Sequence, residues 1–260
     1  MPRRDIGGIL AGLVLALMLV PRMAPAAELV NTVKRVKPSI VGVGVFSRVR
    51  RPPMQLFGTG FAVADGRYVI TNAHVVRRKF DKRYRESLAV TVGNGRRVTI
   101  RRAENIGMDV GRDVAVLRMF GPPIPALTLG DDATVREGQE IAFMGFPIGA
   151  VLGPYPVTHR GIVSAITPIA TPLLSSRRLD AETMKRLRNN FHVFQLDATA
   201  YPGNSGSPVF DPQSGRVYAI ISSVYVKRSK ERVLQEPSGI SYAIPIRYAR
   251  ALLRRVGVLK

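Results

Sequence analysis

The chain of 260 residues contains no cysteine and only three histidines, and its 18 acidic residues face 39 basic ones. Without cysteine there is no disulfide scaffold, no thiolate metal site and no cysteine nucleophile. Absence of disulfides does not place the chain in the cytosol, because an exported domain of this size has material for a core without them. Three separated histidines and no clustered acidic loop make neither a zinc nor a calcium site, so no cofactor is expected. Long apolar runs are also lacking after the N-terminus. The one there, Ile6–Val20, follows Arg3 and Arg4 and leads into Ala24-Pro25-Ala26. Fifteen apolar residues are short for a bilayer span, which takes about 20. A basic start, a short apolar stretch and small residues before a cut are the parts of a secretory leader. Residues 1–26 are therefore expected to be a signal peptide, with an uncleaved anchor as the alternative, and the product to be periplasmic or secreted.

What is abundant is positive charge. The formal net charge is +21, and residues 1–26 carry three Arg and one Asp, which leaves +19 on the remainder. Such a surface attracts polyanions. The basic clusters (77–85, 96–102, 177–188, 227–232 and 247–255) are dispersed and accompany no nucleic-acid-binding motif or aromatic stacking series. Nucleic acid is thus not an expected partner; the charge reads first as a solvated face, with an anionic envelope surface as the partner class it would otherwise favour.

The rest of the chain reads as β-structure. Short β-branched and aromatic runs stand at 41–46, 60–64, 68–71, 89–92, 97–101, 114–119, 141–145, 161–166, 193–197, 209–210, 217–222 and 241–244. Asp65-Gly66 and Asn94-Gly95 read as two-residue hairpin turns. About a dozen strands broken by Gly and Pro, with few helices, specify an all-β barrel or sandwich. Helical spacing is confined to Leu29–Val36, to a polar stretch at 178–189, and to 246–256. In the last, Ile246, Ala249, Leu252, Leu253 and Val256 form one face and arginines the other.

Three strings carry chemistry: Thr71-Asn72-Ala73-His74-Val75-Val76, Arg112-Asp113-Val114-Ala115-Val116-Leu117 and Pro202-Gly203-Asn204-Ser205-Gly206-Ser207-Pro208. A serine hydroxyl becomes a nucleophile only with a base to take its proton and an acid to orient that base. His74 follows a strand directly, whereas His159 and His192 have no accompanying pattern and read as surface or structural residues. Asp113 opens an apolar strand, where a carboxylate needs a partner; Asp109 is joined to no buried run. Ser205 lies between Gly203 and Gly206, in a turn (Gly203, Asn204, Ser205) able to aim the amides of Gly203 and Ser205 at one oxyanion. The order His…Asp…Ser differs from the Asp…His…Ser and Ser…Asp…His orders of two other hydrolase folds.

Together with Gly58-Thr59-Gly60-Phe61, Gly145-Phe146-Pro147-Ile148-Gly149, Gly161–Ala165, Gln195–Ala198 and Gly239–Pro245, these strings resemble the trypsin-like domain of the HtrA/Deg serine proteases over roughly residues 29–256. The resemblance implies two six-stranded β-barrels, about 38–130 and 131–245, closed by a helix at 246–256 within one domain of residues 27–260. It implies a serine endopeptidase with His74 as base, Asp113 as orienting acid and Ser205 as nucleophile, acting on unfolded or flexible proteins or peptides. It places Thr199 at the base of the primary pocket, with walls from Ile220–Tyr225, Ile220 and Ser222 among them, and from Ser241 and Tyr242. No carboxylate stands at Thr199, so small or medium apolar side chains are expected there and not Arg or Lys. Relatives often form trimers, which no residue here specifies. Two departures bear on function. Ser207 replaces a family glycine, and the sequence stops at Lys260, where family members usually continue into a PDZ domain. The segments 168–192 and 223–238 are longer than is typical. The other readings are a latent protease-fold protein that binds or chaperones, and a structural protein of the envelope.

Overall fold

Alternation along each strand explains the architecture that the computed structural model shows for residues 25–78, 80–95, 97–147, 153–168, 191–222 and 240–260. Successive side chains of a strand face opposite sides, and here both sides are apolar. In β6 (Val114–Met119), Ala115 and Leu117 enter the core of one barrel, while Val114 and Val116 join a second core outside it. In β7 (Glu140–Gly145), Ile141 and Phe143 likewise enter the other barrel, and Ala142 and Met144 the shared core. The shared core therefore welds two barrels together, with Phe61, Phe146, Phe210, Ile220 and Ile244 among its members. A one-residue slip in any of these strands would exchange the two cores, so the register is strongly specified.

The other strands are β1 (Ile40–Phe46), β2 (Met54–Val63), β3 (Tyr68–Thr71), β4 (Ser87–Asn94) and β5 (Arg97–Asp109) in the first barrel. In the second they are β8 (Val157–Pro168), β9 (His192–Asp197), β10 (Pro208–Phe210), β11 (Val217–Ile221) and β12 (Ile240–Pro245). The first barrel closes in the order β1-β2-β3-β6-β5-β4 and the second in the order β10-β11-β12-β9-β8-β7, all neighbours antiparallel. Every strand run read from the sequence coincides with one of these. The sequence reading missed the first half of β2 and the second half of β5, where polar and glycine residues interrupt the apolar pattern.

Both hairpin turns differ in detail from expectation. Val63 pairs with Tyr68 across a four-residue turn, with Ala64 at φ +56° and the Arg67 amide donating to the Asp65 carboxylate at 2.9 Å. Asn94 pairs with Arg97, so Asn94 belongs to the strand and Gly95 (φ +57°) opens the turn one residue later than Asn-Gly implied.

Helix α1 (Pro25–Val36) precedes β1, and the short α2 (Ala73–Val76) follows β3. Helix α3 (Ile246–Arg255) buries Ile246, Ala249, Leu252 and Leu253 in the shared core, and Val256 is half-buried beside them. The three large side chains contribute about 5–9 kcal/mol of apolar burial. The segment between the barrels is tied to this helix: the Arg247 amide donates to buried Asp132 at 2.9 Å, and the Arg247 guanidinium pairs with the same carboxylate. Among the described residues no helix is long and apolar enough to cross a membrane. The expected leader lies almost wholly outside the described residues. So do the polar helix at 178–189, Tyr225, and most of the two long segments.

Candidate active site

The site forms where β3, β6 and the 201–207 turn approach one another between the barrels. Asp113 is the residue that organises it. Its backbone is left-handed (φ +56°), a conformation that few side chains other than Asn and Asp adopt readily. The turn feeding it is set by Asp109, whose carboxylate accepts from the Arg112 amide at 3.0 Å and pairs with the Arg112 guanidinium at 3.1 Å. This gives Asp109 a local structural task and leaves the cleft to Asp113.

The Asp113 carboxylate is 6% exposed as a residue and has three donors around it. Oδ2 lies 2.8 Å from His74 Nδ1, Oδ1 accepts the His74 backbone N–H at 2.8 Å, and the Ser222 hydroxyl donates to Oδ2 at 2.8 Å. Asn72 fixes the backbone by donating its side-chain amide to the Asp113 carbonyl at 2.9 Å. A buried carboxylate is expensive unless such partners surround it. Here they also orient one imidazole: holding both the backbone and Nδ1 of His74 sets the ring and leaves Nε2 as its outward nitrogen. The His74 side chain remains 32% exposed, open to the cleft.

The turn bearing Ser205 is pinned from both barrels. Thr59 accepts the Phe146 amide at 3.0 Å and donates through its hydroxyl to the Gly203 carbonyl at 2.8 Å, while its own amide donates to the Ser205 carbonyl at 2.8 Å. Gly206 donates to Ile221 at 2.9 Å, and Ile221 donates back to Ser207 at 2.9 Å. Gly203 (φ +99°) and Gly206 (φ +92°) occupy conformations that disfavour any side chain. Gly58 permits the approach of the first barrel: a Cβ there would stand 2.8 Å from the Ser205 carbonyl and 2.7 Å from the Val75 side chain, next to His74. The Ser205 backbone and Val75, the residue after His74, thus both meet the first barrel at Gly58, although 130 residues separate them in the chain. The Asn204 amide donates to the Tyr201 carbonyl at 3.0 Å, so Asn204 contributes its side chain and the turn geometry.

Ser207 fits where a glycine was expected because the space comes from elsewhere. It is not among the residues with positive φ, and its hydroxyl sits over Gly145, where a Cβ would be only 2.0 Å away. The Ser207 hydroxyl and the Asn204 Oδ1 are buried without a hydrogen-bond partner among the described residues. On its other side Asn204 approaches His159, Nδ2 to Nε2 at 3.5 Å. His159 stacks on Phe143 with ring centroids 4.6 Å apart, and burial pushes its pKa down from the ordinary value. His159 is the site neighbour that sequence reasoning missed. The only available signal was strand register, since it pairs with Phe143 and so faces the same barrel wall as the turn.

The expected pocket residues divide. Thr199 is half-buried, and its flanks are held by Ser241, whose hydroxyl donates to the Ala198 carbonyl at 2.6 Å and accepts the Ala200 amide at 2.9 Å. The Tyr242 carbonyl accepts the Ser222 amide at 2.9 Å, joining the two wall segments. Ile220 is fully buried in the shared core, because its side of β11 faces the joint between barrels. Ser222 donates its hydroxyl to Asp113. Among the described residues no cluster of three or more His, Asp or Glu is arranged to hold a metal ion.

Comparison with known proteins agrees with this fold. The model of the trypsin-like peptidase domain matches residues 58–220. A probable periplasmic serine endoprotease, DegP-like, from Halomonas elongata is 32% identical over 191 residues, which are 73% of this chain and 32% of that protein. The serine protease Do-like HtrB of Bacillus subtilis is 28% identical over 238 residues, 85% of this chain and 45% of that one. The chain therefore spans a third to a half of the length of these curated relatives. Among solved structures, the HtrA-type protease AlgW with tripeptide superposes with a TM-score of 0.61 at 24% identity, covering 88% of this chain and 63% of its own. The serine endoprotease of Yersinia pestis superposes equally well, at 0.61 and 23% identity, over 88% of this chain and 66% of its own. These two likenesses bear on the fold.

Proposed function

The chain belongs to the trypsin-like peptidase family, with HtrA/DegP-like serine proteases as its relatives, and from that premise we propose that it is an exported serine endopeptidase using Ser205, His74 and Asp113. The observation that carries this reading is the three-donor cradle on the Asp113 carboxylate, which holds His74 by backbone and ring together. In the reaction, the His74 Nε2 takes the Ser205 proton as Oγ bonds to the scissile carbonyl carbon. Asp113 stabilises the imidazolium so formed. The amides of Gly203 and Ser205 receive the developing oxyanion, a contribution of about 3–4 kcal/mol per donor in such sites. His74 then gives its proton to the leaving amine as the peptide C–N bond breaks. Water, deprotonated by the same imidazole, releases the acyl group and restores Ser205.

Substrates are proposed to be unfolded or flexible polypeptides. Thr199, Ser241 and Tyr242 supply a primary pocket without a carboxylate, suited to small or medium apolar side chains. Export through removal of residues 1–26 is supported by the leader pattern and by relatives named periplasmic. A fluorophosphonate probe applied to the mature protein tests the reading. Labelling should occur and vanish in Ser205→Ala. Folded protein that never labels would leave the latent binding or chaperone-like reading in its place.

A further inference from the structure

Two basic segments far apart in sequence meet beside the candidate site. One is the β1–β2 loop, with Arg48, Arg50 and Arg51; the other, running on from α2, contains Arg77, Arg78, Lys82, Arg83 and Arg85. Three contacts join them. The Ser47 hydroxyl donates to the Tyr84 carbonyl at 2.6 Å, Arg50 pairs with Glu86 at 2.9 Å, and the Arg50 guanidinium lies 3.9 Å from the centre of the Tyr84 ring. The local acids are already engaged. Asp81 pairs with Arg83 at 2.9 Å, and Glu86 accepts the Asp81 amide as well as pairing with Arg50. Six exposed cations, Arg48, Arg51, Arg77, Arg78, Lys82 and Arg85, then have no carboxylate partner among the described residues.

The patch is continuous with the site. Arg77 and Arg78 follow α2, the helix that contains His74. The Arg78 guanidinium lies 3.9 Å over the Phe57 ring, and the next residue, Gly58, abuts the Ser205 carbonyl. Phe80 and Tyr84, 43% and 39% exposed, add apolar surface between the cations. Like charges on one surface repel, and an anion among them relieves the repulsion. Guanidinium groups pair carboxylates in a fixed fork, and exposed aromatics accept the apolar side chains of a peptide.

We infer that this patch is an exosite for an acidic segment of the polypeptide substrate, bound next to the bond that is cut. A substrate chain in the cleft reaches the patch without a second binding event, so the acidic stretch acts at high effective concentration. The inference rests on the reading of Ser205 as nucleophile for the cutting step alone; binding stands apart from it.

The test uses fluorescent peptides sharing one cleavable apolar core, extended on either side by four Glu or four Gln, with Ser205→Ala as the binding partner in anisotropy titrations. At low salt one Glu-extended peptide should bind roughly tenfold to thirtyfold more tightly than its Gln counterpart, and the advantage should shrink at high salt. The triple variant Arg48→Gln/Lys82→Gln/Arg85→Gln, made in the same background, should lose most of that advantage while binding the Gln peptide as before. Equal binding of Glu and Gln peptides would overturn the inference. So would an acid preference that the triple variant keeps, or patch-dependent binding to phosphatidylglycerol vesicles without any peptide preference. Turnover of the same peptides by wild type is read separately: acid-selective binding with no cleavage of any peptide retires the protease reading and leaves the acidic-segment site standing.

Discussion

Replacing Asp113 by Asn changes one atom's chemistry at the centre of the site, and the structure says what should follow. Asn tolerates the left-handed backbone at this position (φ +56°), so the turn should survive. The amide then has two ways to sit. With its oxygen toward His74 Nδ1, its NH2 faces the His74 backbone N–H, and a buried donor is left unmet at a cost of about 1–3 kcal/mol. With its oxygen on the backbone N–H, the NH2 faces Nδ1, and the Ser222 hydroxyl can rotate to accept. The second arrangement leaves no donor facing a donor and is favoured. It makes Nδ1 an acceptor, so Nε2 holds the proton and cannot receive one from Ser205. A wrong tautomer of this kind lowers kcat by roughly 10⁴-fold, equivalent to about 5.5 kcal/mol of transition-state stabilisation. The assay is kcat on an apolar-core peptide together with the rate of fluorophosphonate labelling, and thermal melting as the fold control. A folded Asp113→Asn protein within tenfold of wild type would refute the assignment of Asp113 as the orienting acid.

Three further outcomes are expected. Ser222→Ala removes one donor to Asp113 but keeps the tautomer, so kcat should fall by only about 10–100-fold, the worth of a hydrogen bond to a charged group; a loss as large as that of Asp113→Asn contradicts this. His159 bears on pH: burial lowers its pKa below the ordinary value of 6.5, so the unfolded chain takes up this proton at higher pH than the folded one. Folding stability should therefore decline as pH falls below about 6.5, down to the lowered value, and urea unfolding of His159→Gln should show a flatter dependence. Equal slopes in the two proteins would remove His159 from that role. Gly145→Ala drives a methyl toward the Ser207 hydroxyl, 2.0 Å from its ideal position, and should cost about 1–3 kcal/mol of stability. Adding Ser207→Gly should restore part of it, though Thr59 Oγ1 at 2.7 Å still crowds the site; a double variant no more stable than Gly145→Ala denies that Ser207 is the main obstacle.

Local pattern was enough to reveal the strands, because β-branched runs broken by Gly and Pro are a property of neighbouring residues. It also reached the three chemical strings, since His74, Asp113 and the Gly203–Gly206 turn each sit at a strand end with recognisable neighbours. The amphipathic spacing of 246–256 likewise foretold which face α3 buries. Other features depend on contacts between residues distant in the chain. Ile220 stands in the sequence as a pocket-wall residue by resemblance alone, and its burial comes only when the second barrel meets the first and encloses it. Ser222 becomes a hydrogen-bond donor to the site only because β11 ends opposite Asp113, 109 residues earlier. Register puts His159 against the 201–207 turn, and the same long-range pairing lets Gly145 make room for Ser207. The basic clusters looked dispersed along the chain, yet the Ser47–Tyr84 and Arg50–Glu86 contacts bring the one at 77–85 together with the arginines of the β1–β2 loop, which stood in no cluster of the sequence. Periodicity encodes which faces are buried; which buried faces meet, and what each polar group then finds beside it, is decided by the closing of the two barrels.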